Sequence, residues 1–203
     1  MVLDERRDLS DRIFNPIALK IKGVNPNTLS LFSLISAAVA GVCFYIGNYY
    51  LLAAALFVAS NAFFDILDGR LAKITKQEHP RGCFLDNIFD RYSDIFMFIG
   101  IMFSPYCRIM TGFFVILGTL LTSSIGSLGL VSYVGRIRGS LFSRADRLLM
   151  LILIPIIQFT LLRLDVKLIF GFWFTDWIMI ILAVVGNLSA IQRSFILWKR
   201  LKS

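Results

Sequence analysis

A chain of 203 residues that is 57% hydrophobic, with a mean hydropathy of +0.75, is more apolar than the roughly 45–50% typical of a soluble domain. That excess excludes an ordinary water-soluble globule. The formal net charge of +8 raises the question of nucleic acid, but basic residues between long apolar runs follow the positive-inside rule and meet anionic head groups, so no nucleic-acid partner is expected.

In chain order, residues 4–22 set Leu9, Ile13, Ile17 and Ile21, with Phe14 and Ala18 beside them, on one helical face among Arg6, Arg7, Arg12, Lys20 and Lys22. This is the pattern of an amphipathic helix lying in the membrane interface. These charged residues lack the apolar core and small-residue cleavage site of a signal peptide, so the N-terminus is expected to persist. Asn25-Pro26-Asn27-Thr28 follows, in which Asn27 or Thr28 is expected to cap a helix. Six apolar runs then reach the length of about 18 residues that a membrane helix needs: 29–47, 50–69, 84–104, 109–133, 147–164 and 171–195. The expected fold is all-α, one domain over 1–203, with an interfacial helix in 1–24 and a six-helix bundle over 29–195. Seventeen Lys and Arg fall on the side of the termini and only Arg108, Arg163 and Lys167 on the other. The termini and the 70–82 loop are therefore expected in the cytoplasm. Cys43, Cys83 and Cys107 have no paired spacing and read as small packing residues rather than a zinc site or disulfide framework.

The chemistry concentrates in residues 61–94. Asp65 and Asp68 are three apart, and Asp86 and Asp90 four apart, so each pair shares a helix face. Carboxylates inside apolar spans are costly and need partners. If the second and third spans pack antiparallel across their short loop, the four converge. Four uncompensated negative charges cannot stay ionised together, and hard divalent cations such as Mg2+ or Mn2+ are the usual resolution. A two-metal site held by Asp65, Asp68, Asp86 and Asp90 is the expectation. Gly69 and Gly82 beside them suit close approach of backbone to a ligand or tight helix packing.

The pattern Asp65-x2-Asp68-Gly69-x2-Ala72-Lys73-x8-Gly82-x3-Asp86-x3-Asp90 resembles the signature of the CDP-alcohol phosphotransferase family, with Lys73 where the family has Arg. The resemblance covers nearly the whole chain. It implies a six-helix membrane enzyme, commonly a homodimer, with the metal site in a polar cavity at the cytoplasmic face and a CDP-activated lipid as donor. By the same likeness Asp90 is also the base, Gly69 and Lys73 lie against the CDP moiety, and Asn27 and Thr28 lie toward its cytidine. Asp65 and Gly82 complete that nucleotide-binding set. Lys73 keeps the charge of Arg but loses its planar fork.

Arg136, Arg138, Arg144 and Arg147 cluster between the fourth and fifth spans and are candidates for holding an anionic acceptor. Ser143-Arg144-Ala145-Asp146-Arg147 is similar to the Arg-x-Glu-Arg stretch of the family's inositol-phosphate-using branch, with Asp146 for Glu, so an inositol phosphate is the first expectation. Glycerol 3-phosphate, serine and inositol are the alternatives. A cation-coupled transporter is the competing class, but it wants acidic residues spread through the membrane depth. Here they gather near one face.

Overall fold

The computed structural model describes residues 14–76, 79–131, 143–166 and 168–201. The described residues are all-helical apart from one isolated bridge between Ile169 and Phe172. A short helix α1 covers 14–20. Six long ones follow: α2 Pro26–Ile46, α3 Tyr50–Ile74, α4 Pro80–Met102, α5 Ile109–Val131, α6 Arg144–Arg163 and α7 Phe174–Leu201. Five of these, all but α4, are long and apolar enough to cross a membrane. The predicted span 84–104 corresponds to α4, whose first two thirds carry Arg81, Asp86, Asp90, Arg91 and Asp94. Large apolar side chains such as Leu56, Met110, Phe113 and Phe195 face outward, as a lipid surround allows and water does not.

Local chemistry sets the helix starts. α2 begins three residues before the predicted run, because Pro26 takes the first helical position, where its missing N–H costs nothing. The cap is Asn25, whose side chain accepts from Asn27 N–H at 3.0 Å, and not Asn27 or Thr28 as expected. α4 starts similarly at Pro80, with His79 Nδ1 accepting from Arg81 N–H. At the other end of α2, Gly47 adopts φ +70, and a Cβ there would meet the Tyr106 ring. Only glycine suits both demands.

The six long helices run alternately up and down, so two polar ends can be told apart. The site end holds the starts of α2, α4 and α6 and the last turns of α3, α5 and α7. The far end holds the turn at 47–49, the 103–108 segment and the 164–173 segment.

Backbones approach closely at two crossings. Gly41 of α2 lies against Gly100 and Phe96 of α4. Gly118 of α5 meets Gly186 of α7, where Thr122 donates to the Gly186 carbonyl and Asn187 to the Phe114 carbonyl. In lipid, such small-residue seams and interhelical hydrogen bonds supply the packing that a hydrophobic drive cannot. The main core gathers Ala37, Phe44, Val58, Met97, Phe98 and Leu151. A second cluster seats α1, with Ala18 fully buried against Leu29, Leu67 and Leu71.

The antiparallel pairing expected of α3 with α4 is replaced by a different arrangement. α2 packs extensively on both, while α3 and α4 make no comparable interface with each other. Glycine at the α2–α4 crossing admits α4 there, and acid-bearing faces repel direct contact. Fully buried Asn61 spans the gap, donating to the Ser33 carbonyl and Ser33 hydroxyl on α2 and to Ser93 on α4. The acidic ends of α3 and α4 thereby face a shared polar space.

Candidate active site

Asp65, on α3, and Asp86 and Asp90, on α4, each offer a carboxylate oxygen within 4.8 Å of the others, all three half-buried. The i, i+4 spacing extends to Asp94, one turn deeper. Three oxygens this close, drawn from hard carboxylates, fit a divalent cation. Asp68 stands apart from that trio. It is buried, accepts a hydrogen bond from the Ser30 hydroxyl, and turns toward a neighbouring cavity.

That cavity is about 730 Å³, with Asp68 and Asp86 on its wall beside Asn27, Gly69, Lys73 and Gly82. Its size suits a ligand of nucleotide scale. Of the expected nucleotide residues, Asn27, Gly69, Lys73 and Gly82 line it, whereas Thr28 and Asp65 do not. Among the described residues, no atom from outside the local helix backbone would lie within 4 Å of a Cβ at Gly69, and only the Asn27 side chain, at 3.6 Å, would approach one at Gly82. These two glycines therefore do not serve helix packing, in contrast to Gly41 and Gly100. Asn25, His79 and Arg81 line the same cavity.

Two arginines from the start of α6 close the other side of the acidic group. Arg144 Nη1 lies 2.8 Å from Asp65 and 2.8 Å from Asp90, with its Nε 3.9 Å from Asp94 Oδ1. Arg147 Nη2 bonds the second Asp94 oxygen at 2.8 Å. Ser143 and Asp146 form a capping box that begins α6 at this point, so the acid between the two arginines serves the helix start. Arg136 and Arg138 lie outside the described residues.

Sequence reasoning missed two contributors. Ser30 was hidden in an apolar run, although it lies one turn after Pro26 on the face that meets α3. Asp94 was noted only as part of a stretch, although its spacing from Asp90 repeats that of Asp90 from Asp86.

Helices bearing a carboxylate trio beside a nucleotide-sized cavity suit a membrane enzyme acting on a nucleotide-linked substrate, and residues 24–191 match the model of the CDP-alcohol phosphatidyltransferase family. The chain belongs to that family and is a multi-pass membrane enzyme of phospholipid biosynthesis. Among its relatives, the archaetidylinositol phosphate synthase of Methanothermobacter thermautotrophicus is 31% identical over 206 residues, covering 99% of this chain and 96% of that one. The enzyme of the same name from Pyrococcus horikoshii is 34% identical over 101 residues, half of this chain and 53% of that one. In fold, the chain is similar to the Mycobacterium tuberculosis phosphatidylinositol phosphate synthase solved with CDP-DAG bound, with a TM-score of 0.72 and 23% identity over 92% of this chain and 94% of that one. A second structure of that synthase, with manganese and citrate, matches with a TM-score of 0.73 and the same identity, over 92% of this chain and 89% of the other.

Proposed function

We propose that this enzyme transfers the lipid-phosphoryl group of a CDP-linked lipid to an inositol phosphate and releases CMP. The observation that carries the reading is the placement of Arg144 against Asp65 and Asp90, which form one carboxylate trio with Asp86 on the wall of the 730 Å³ cavity, so that an anion-binding group lies beside a nucleotide-sized space. The near full-length likeness to an archaetidylinositol phosphate synthase supports it.

In this reading Asp65, Asp68, Asp86 and Asp90 hold two divalent ions, Mg2+ or Mn2+. When bound, the ions neutralise the pyrophosphate oxygens and ease departure of CMP. The chain's own residues do the rest. Asn27, Gly69, Lys73 and Gly82 seat the nucleotide, the two glycines letting it approach the backbone. Arg144 and Arg147, with Arg136 and Arg138, hold the acceptor's phosphate, as guanidinium forks suit phosphate oxygens. Asp90 takes the proton from the acceptor hydroxyl as its oxygen bonds the lipid-side phosphorus and the bond to CMP breaks.

The whole chain is one membrane domain in this reading, with α4 a sixth crossing whose charges face the protein and α1 lying at the interface. The Lys and Arg distribution supports termini and site on the cytoplasmic side, and the family resemblance supports a homodimer.

The test is CMP release by purified protein supplied with CDP-diacylglycerol or its diether counterpart and Mg2+. myo-Inositol 1-phosphate, glycerol 3-phosphate, serine and inositol are compared as acceptors, with an EDTA control. EDTA-sensitive release with inositol phosphate is the expected result. Release with a different acceptor overturns the acceptor assignment, and release undiminished by EDTA overturns the metal site.

A further inference from the structure

The Arg144 guanidinium occupies the centre of the acidic group. One nitrogen, Nη1, serves both Asp65 and Asp90 at 2.8 Å, while Nε and Nη2 are buried without a hydrogen-bond partner among the described residues. The side chain is 23% exposed. An arginine in a finished anion-binding site uses its planar fork; this one leaves most of the fork idle and spends one nitrogen on two carboxylates. Any ion ligated at about 2.1 Å by either of those oxygens would lie within about 4.9 Å of Nη1, where two cations repel strongly in a partly desolvated site. Beyond them, Asp94 Oδ1 is buried, has no hydrogen-bond partner among the described residues, and stands 3.9 Å from Arg144 Nε. Its other oxygen is held by Arg147.

We propose that Arg144 is the internal counter-ion of the metal-free acidic group, and that a divalent ion displaces it from Asp65 and Asp90 toward Asp94, where it becomes available to the acceptor's phosphate. The inference rests on the proposed metal and acceptor sites and adds an order to them. Without metal, Arg144 is sequestered and the acceptor subsite is weak; with metal, the fork is released. By linkage the two ligands strengthen each other's binding by the same factor. Arg144, one turn of α6 before Arg147, thus couples the metal site and the acceptor site.

The experiment uses the full chain in detergent without CDP-lipid, so that no turnover contributes. Mn2+ binding is read by the loss of free-ion EPR signal, and myo-inositol 1-phosphate binding by calorimetry. Arg144→Gln is expected to bind Mn2+ at least about tenfold more tightly than wild type, since coupling between close charge pairs is large, with Arg144→Lys close to wild type. Wild type is expected to bind the inositol phosphate about tenfold more tightly with Mn2+ than with EDTA, and Arg144→Gln to lose that enhancement. Unchanged or weaker Mn2+ binding by folded Arg144→Gln overturns the exchange alone. If that variant does not fold, equal acceptor affinity in wild type with and without Mn2+ overturns it. Absence of Mn2+ binding by wild type overturns the metal site itself.

Discussion

The two polar ends of the bundle handle buried charge in opposite ways. At the far end, Asp176 is buried and completely engaged. One oxygen accepts from the Arg108 backbone N–H at 3.2 Å, and the other faces Arg108 Nε at 3.5 Å, while that guanidinium stacks on the Phe172 ring. Nearby, Tyr106 accepts from the Asn48 N–H and packs edge-on against Trp173. At the site end, by contrast, Asp94 Oδ1, two nitrogens of Arg144 and one of Arg147 are buried without hydrogen-bond partners among the described residues. Unsatisfied buried polar groups are expensive; the far end leaves one neutral nitrogen, Gln158 Nε2, in that state among the described residues, while the site end leaves these four atoms of charged side chains, as a site that a ligand completes would. The contrast separates charge that closes a loop junction from charge that the proposed site leaves open to a ligand.

Substitutions at the two ends should break this contrast in opposite directions. The largest effect is expected from Asp90→Asn, which removes a base and an anionic oxygen while keeping shape. CMP release should fall by about 10²–10⁴-fold, with the thermal melting temperature within a few degrees of wild type; appreciable turnover would remove Asp90 from its assigned role. Arg147→Ala should raise KM for the inositol phosphate by roughly 10–100-fold, the worth of a lost charged hydrogen bond, and change KM for the CDP-lipid far less. Equal effects on both substrates would count against an acceptor-phosphate pocket on α6.

Far-end replacement should do the reverse. Asp176→Ala is expected to cost about 1–3 kcal/mol of stability, read as a lowered melting temperature, with kcat of the folded fraction unchanged. A loss of kcat without a loss of stability would show that the far end is not merely structural. The smallest effect concerns thiols. Cys83 is exposed and lines the site-end cavity, whereas at the far end burial, then the neighbouring Asp176 charge, pushes the Cys107 thiol up to about 12. Its neutral form therefore persists at ordinary pH. A maleimide at pH 7.5 should label Cys83 and spare Cys107 and buried Cys43, and CDP-lipid should slow that labelling. Cys107 modification at comparable rate would mean that the far-end junction opens.

Much of this was legible from spacing, because helical repeats are local. Asp65 and Asp68 three apart, and Asp86 and Asp90 four apart, announce shared faces, and the apolar runs mark the helices to within a few residues. What spacing does not encode is which helix a face meets. Arg144 reaches Asp65 across 79 positions of sequence, and no periodicity links them. Nor did the short loop between α3 and α4 make them pack together; Gly41 and Gly100 decided that by admitting α4 to α2. Asp68 parted from the trio for a comparable reason, since Ser30 on α2 offered it a donor. The cap of α2 was misplaced by two residues because Pro26 at the first helical position makes Asn25 the natural acceptor.

The Ser143–Asp146 capping box has a consequence for register. Successive residues of an α-helix are turned by about 100°, so the first helical residue indexes the direction of every side chain after it. By pinning that residue, the box aims Arg144 and Arg147 together. One residue inserted between Ser143 and Arg144 would swing both away from the aspartates without altering either arginine. Either Asp or Glu can close such a box, so the Asp146 found here in place of Glu leaves the aim of both guanidinium groups unchanged.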